Sequence, residues 1–205
     1  MSRDENTPDC PKLPGRPRDE AARARIQQAA IDLLIEGGFI NLTCDAIAQR
    51  SGTSKSTFYR WWPNKVQVVI DAFIGELSPH LPICPADTLE EFVANQVSQF
   101  IEAVDGRNGQ LLAAMLAAAQ VVPAVHDAYQ AHWLQPRREH LRSVLKQFQD
   151  FGSLSPSADI DIVLDALYGP LHMILMVQRN RLQPAYAEQL TSILLNGVRF
   201  QSLHR

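Results

Sequence analysis

Apolar residues recur at intervals of three and four along most of this chain, and sustained alternation is found nowhere. The pattern predicts an all-α fold of about nine helices. The first helix is expected over residues 19 to 36, where Ile26, Ala29, Ala30, Leu33 and Leu34 form one stripe ended by Gly37-Gly38. A fourth begins at Pro63-Asn64-Lys65, with Asn64 and Gln67 spaced as a capping box, and continues to about Leu77. Pro79, Pro82 and Pro85 then mark a linker over 78 to 87. Beyond it, helices are expected over 88–105, 110–121, from Pro123 to about Phe151, over 157–179 and over 184–202. Pro136 and Gly169-Pro170 fall inside two of them, so each should be kinked.

Between the first and fourth helices lies Leu42 to Lys65, the stretch around which the rest is organised. Thr43 is an N-cap type residue, and Ile47-Ala48 follow at helical spacing. Gly52 can take the positive φ that ends a helix tightly. Ser54 can cap a short helix from Lys55 to Arg60. Ala48 is small where two crossing helices must approach, and Phe58 can plug the angle between them. This is the layout of a helix-turn-helix that enters the DNA major groove.

Charge supports that reading by its placement. The chain of 205 residues carries a net charge of −3. Residues 12–25 and 43–65 are each +3, whereas 76–205 are −4. Basic charge therefore collects where phosphate neutralisation requires it. Cys10, Cys44 and Cys84 are odd in number and form no CxxC pair, so a reduced, cytoplasmic setting is expected, with no disulfide framework or zinc site. The polar, Pro-rich N-terminus is not expected to be a signal peptide, and no membrane span is expected.

Catalytic chemistry finds no foothold. There is no G-x-S-x-G, H-E-x-x-H or Gly-rich phosphate loop. His126, His132 and His140 lack the further ligands that a metal site needs. Neither an enzyme nor a cofactor is expected.

Leu42-Thr43, Ile47-Ala48, Gly52, Ser54-Lys55, Phe58-Tyr59, Trp62-Pro63 and Lys65 together resemble the N-terminal domain of the TetR/AcrR family of bacterial transcriptional regulators. The resemblance is strong over residues 16 to 74 and weaker at Pro136-Arg137-Arg138 and Leu167 to Leu171. Thr53 and Trp61 depart from the usual family residues within the recognition element. The resemblance implies a flexible arm over 1–18, a three-helix DNA-binding domain over 19–77, and a helical ligand-binding and dimerisation domain over 78–205.

The function implied is a ligand-responsive repressor, released from a two-fold operator by a small effector. Thr53, Lys55, Ser56 and Thr57 are expected at base edges, where short hydroxyls and lysine suit the groove's acceptors and donors. Thr43, Tyr59 and Lys65 are expected at phosphates, with Ser54 and Arg60 in the same surface. Arg16 and Arg18 either enter the minor groove or belong to a solvated tail, and both readings stay open. Phe100, Met115, Trp133, Tyr168, His172 and Met176 are candidates to line an effector cavity. Their character suits an apolar or aromatic molecule and demands no charged one. Leu164, Leu167, Leu171, Ile174, Leu190, Ile193, Leu194 and Val198 are expected in a homodimer interface made by the last two helices. The competing reading is a helical carrier or enzyme in which the helix-turn-helix is only packing. It leaves Tyr59, Lys65 and the polar residues of the short helix without a use.

Overall fold

The computed structural model describes residues 17–178 and 184–198. Among them every regular element is helical. The order is α1 Pro17–Asn41, α2 Cys44–Ser51, α3 Lys55–Trp61, α4 Lys65–Leu77, α5 Leu89–Ala103, α6 Arg107–Val121, α7 Pro123–Tyr129, α8 Gln135–Asp150, α9 Ile160–Met173 and α10 Pro184–Val198. The all-α expectation is met. Residues Phe39–Asn41 are helical again after Gly38, whose φ of 71° breaks α1 where the glycine pair predicted its end.

Side-chain caps start several helices, at Thr43, Ser54 and Asn64 as the sequence suggested and at Thr88 besides. Thr43, Ser54, Asn64 and Thr88 each accept from the backbone N–H three residues on. Gly52 closes α2 at φ 65°, and Thr53 N–H returns to the Ala48 carbonyl at 3.0 Å, the six-to-one bond of a left-handed cap.

Two expectations needed correction. The helix over 110–121 starts three residues earlier, at Arg107, because Gly106 makes the turn alone at φ 62°. Gly109 then sits in the first turn of α6 against α5, where a Cβ would lie 2.2 Å from the Val104 carbonyl oxygen. The helix from Pro123 to Phe151 is not one rod. A π-turn over Gln130–Leu134 separates α7 from α8. Pro136 has no N–H for the His132 carbonyl and its ring crowds that oxygen, so the wider turn just before it relieves the conflict. Pro170 likewise leaves the Ala166 carbonyl without its helical donor, and a second π-turn follows over Ile174–Gln178.

One continuous apolar core runs through the molecule. Ile26, Ala30 and Leu34 of α1 meet Ile47, Phe58 and Phe73, all buried. Phe58 of α3 and Ala48 of α2 are both buried. The N-terminal helices do not stand apart, because α1 and α4 both pack on α6, and α4 packs on α7. Phe73 of α4 meets Trp133 edge-on and Tyr129 at a tilt, with centroids 5.2 and 5.8 Å away.

A polar hub fixes α4 beneath α1. The Asp71 Oδ2 atom accepts from Arg23 Nη2 at 2.9 Å, Gln27 Nε2 at 3.1 Å and Trp62 Nε1 at 3.0 Å. Trp61, undecided from sequence, packs beside Trp62 with Arg23 over its ring at 5.3 Å.

Candidate DNA-binding surface and effector cavity

The α2–turn–α3 unit brings the expected DNA-binding residues onto one face. Thr43, Ser54, Lys55, Ser56, Tyr59 and Arg60 are exposed, and Thr53 and Thr57 are half-buried. Several are held by neighbours within the chain. Lys55 Nζ pairs with Asp45 Oδ2 at 2.6 Å, and that contact raises the lysine above its ordinary range. Ser54 Oγ caps Thr57 N–H and lies 2.8 Å from Ser56 Oγ. Thr53 Oγ1 is 2.8 Å from Ser51 Oγ. Tyr59 is 52% exposed, and its hydroxyl lies against the Cys44 thiol, the main cause of its raised pKa.

Lys65 is placed differently from expectation. It is half-buried, and its ammonium donates to the carbonyls of Phe39 at 3.1 Å and Leu42 at 2.7 Å. The charge therefore caps the end of α1 and the turn into α2. A third donor remains for a phosphate. Arg16 and the Arg18 side chain lie outside the described residues.

A cavity of about 420 Å³ opens among α4 to α9. Phe100, Trp133, Tyr168 and His172 line it as expected. Met115 does not: it is fully buried in the core behind the wall. Met176 lies within the second π-turn, which carries it off the Tyr168–His172 face. Tyr168 OH donates to Gln96 Oε1 at 3.0 Å, and its ring meets Phe100 at 5.9 Å. His172 Nδ1 is 2.8 Å from the Tyr168 carbonyl, so Nδ1 carries the hydrogen and Nε2 keeps its lone pair. Burial lowers the His172 pKa, partly opposed by that bond. Burial also raises Tyr168, and pushes Tyr129 up to about 12, with Arg137 pulling both the other way.

The lining is also more polar than expected, because Arg137, Arg138 and Asp165 face the cavity. The six candidates named from sequence carry no fixed charge and did not include these three residues. The signal lay in the spacing, since Trp133, Arg137 and Leu141 recur every four residues on one face. Arg138 bonds to Asp161 and Asp165 at 2.9 and 2.6 Å, and Arg142 shares Asp161. Arg137 donates to the Leu81 carbonyl and lies 5.8 Å from the Trp133 ring centre.

The dimer expectation also changes in detail. Leu164, Leu167 and Leu171 are almost wholly buried within the chain, and Leu190 is 7% exposed, so all four belong to its own core. Ile174 and Leu194 pack partly against that core, and the Val198 side chain lies outside the described residues. Ile193 is exposed as expected. The opposite face of α9 and its π-turn presents Ile162, Ala166, Gly169, Met173 and Val177, all exposed at helical spacing. The same stretch, Ile160–Val177, is long and apolar enough to cross a membrane by composition, a feature the sequence reading did not expect.

Comparison with known proteins agrees with this architecture. Residues 26–72 match the family described as bacterial regulatory proteins, tetR family. Residues 86–194 match the tetracyclin repressor-like C-terminal domain. An HTH-type transcriptional regulator of Bacillus subtilis, YdeS, is 30% identical over 188 residues, which span 92% of this chain and 95% of that protein. Another from Mycobacterium bovis, Mb1581, is 31% identical over 140 residues, 68% of each chain. The crystal structure of the TetR family regulator SCO0332 superposes with a TM-score of 0.68 at 26% identity, covering 86% of this chain and 98% of that one.

Proposed function

Because this chain belongs to the TetR family of helix-turn-helix transcriptional regulators, we propose that it is a repressor in the cytoplasm, without enzymatic activity, whose homodimer leaves a two-fold operator when a small effector fills its cavity. α3 enters the major groove, with Thr53, Lys55, Ser56 and Thr57 at base edges and Ser54 and Arg60 beside them. Thr43, Tyr59 and the spare Lys65 donor hold phosphates, which set register while base contacts select sequence.

The observation that carries this reading is the position of α4. Its C-terminal end supplies Leu77 to the cavity wall, and the following turn supplies Leu81. Its N-terminal end, at Asn64 and Lys65, lies beside the helix-turn-helix. A rigid helix of 13 residues, about 20 Å long, thus joins the two sites. A cavity occupant that shifts Leu77 tilts the DNA-binding unit. It need only favour the released conformer by about 100-fold, or 2.7 kcal/mol, to matter.

The occupant is small and largely apolar or aromatic, to suit Phe100, Trp133 and Tyr168. The dimer forms through the exposed face of α9 and Ile193, where a second copy covers apolar surface that the monomer leaves bare. A gel shift on DNA upstream of the protein's own gene tests the reading. Tight retardation that weakens steeply with salt is expected. Equal, weak retardation of unrelated DNA would favour the carrier reading.

A further inference from the structure

The cavity contains a charge that its surroundings do not neutralise. Among the described residues, no carboxylate forms an ion pair with Arg137. Asp165, the acidic residue of the lining, is bonded to Arg138, and Asp161 is shared between Arg138 and Arg142. Arg137 is half-buried, and its partners within the chain are neutral: it donates to the Leu81 carbonyl and lies against the Tyr168 hydroxyl. Guanidinium stays charged at any pH a protein survives, and it carries five N–H donors in a planar fork. A carbonyl and a phenol hydroxyl leave part of that fork unused and neither carries a counter-charge. A cation in an apolar recess is costly unless an anion completes it.

Around the fork, the cavity is built for a carbon skeleton. Trp133 lies against the guanidinium, and Phe100 meets Tyr168 edge-on and His172 at a tilt within the same lining. The volume of about 420 Å³ falls in the range that holds a compact ligand, about 300–1,000 Å³.

We propose that the effector is a monocarboxylic acid with an apolar or aromatic body, and that Arg137 is the residue that reads its carboxylate. The two oxygens match the fork in a bidentate pair, the geometry in which arginine binds carboxylate best. Arg137 also bonds to the Leu81 carbonyl, four residues past the end of α4. A carboxylate that draws the guanidinium into the cavity loosens that bond, so acid binding acts on the same helix end that the regulator reading requires. The inference rests on that reading only for its consequence; the binding step stands without DNA.

The test titrates the full-length protein, free of DNA, by calorimetry with two matched pairs: 2-naphthoate against 2-naphthamide, and decanoate against decanamide. At least one acid should bind about tenfold or more tightly than its amide, and Arg137→Gln should abolish the preference. Amides equal to acids, no binding by either acid, or an unchanged preference in the variant would each overturn the proposal. If the glutamine variant does not fold, Arg137→Lys serves instead. It keeps the charge but loses the fork, so the preference should fall about threefold or more, and an undiminished preference counts against the assignment. A gel shift run in parallel separates the two ideas. Acid preference without operator binding would sink the regulator reading alone, and operator binding without acid preference would sink this inference alone.

Discussion

The Lys65 ammonium lies 2.7 Å from the Leu42 carbonyl oxygen, within a turn whose other lysine-bound carbonyl belongs to Phe39. One side chain thus ties the start of α4 to the junction of α1 and α2, and the Phe39 ring lies 4.5 Å beneath the charge. Lys65→Ala should therefore do two things. The salt slope of operator binding should flatten by about one unit, the loss of one phosphate contact. Stability should fall by about 1–2 kcal/mol, since two carbonyls lose a charged donor. Urea melts and salt titrations separate the effects. A stability loss with an unchanged slope would make Lys65 a cap and nothing more.

Asp71 should matter to stability more than its partial exposure suggests. Its Oδ2 gathers donors from α1 and from the indole N–H of Trp62, a residue that is 4% exposed. Asp71→Ala strands that N–H and should cost about 1–3 kcal/mol in a urea melt. Asp71→Asn keeps an acceptor for Trp62 and should cost less. Equal losses would show that charge, not the indole bond, is what counts.

The helix-turn-helix was legible because its rules are local. Caps at Thr43, Ser54 and Asn64, the left-handed turn at Gly52 and the plug at Phe58 depend on residues a few positions apart. The cavity was half legible. Phe100, Tyr168 and His172 announced themselves by type and spacing, but which face of each helix turns to the void is a tertiary fact. Met176 was lost because a π-turn shifts the register after Met173. Arg137 was overlooked as a cavity residue because long cations usually face solvent. The apolar breadth of α9 was read correctly, yet its leucines fill the core while the smaller Ala166 and Gly169, with Ile162 and Met173, are left outside.

Asp45 restrains Lys55, the one lysine of α3 and a proposed base contact. Asp45→Asn removes a negative charge from the DNA-facing surface and releases Lys55 from its 2.6 Å pair. Affinity for operator and for random DNA should both rise, by about two- to tenfold at low salt, and the gain should shrink as salt is added. Surface pairs of this kind contribute little to stability, so the melting temperature should barely move. A fall in operator affinity would mean that Lys55 needs the pair to be held in place.

His172 should make stability depend on pH on the acid side of neutrality. Its folded pKa is lowered by burial among Phe100, Tyr168 and the cavity wall that also bears Arg137. Below about pH 6.5 the unfolded chain takes up a proton that the folded protein resists, so stability falls as pH drops through that value. Above it both states are neutral and nothing is lost. Urea midpoints near pH 7.5 and pH 5.5 should therefore differ less in His172→Gln than in the parent. An equal drop in both would place the sensitivity in another group than His172.

The proposed dimer makes the most demanding prediction, because operator binding as proposed requires it. Met173, Val177 and Ile193 are 50%, 65% and 70% exposed on two neighbouring helices, whereas Leu167 and Leu171 beside them are buried. Covering this face with its two-fold mate would place the two α3 helices about one DNA turn apart, roughly 34 Å, or somewhat more. Met173→Asp and Ile193→Asp together should leave the fold intact, since neither side chain is in the core. They should convert the protein to a monomer by light scattering at micromolar concentration. Operator affinity should then fall by about 100-fold or more, because each half-site is held by one module without the gain of linkage. Leu167→Asp is the contrasting variant: it puts a charge into the core and should prevent folding altogether. A double variant that remains dimeric would move the interface to another face of the molecule.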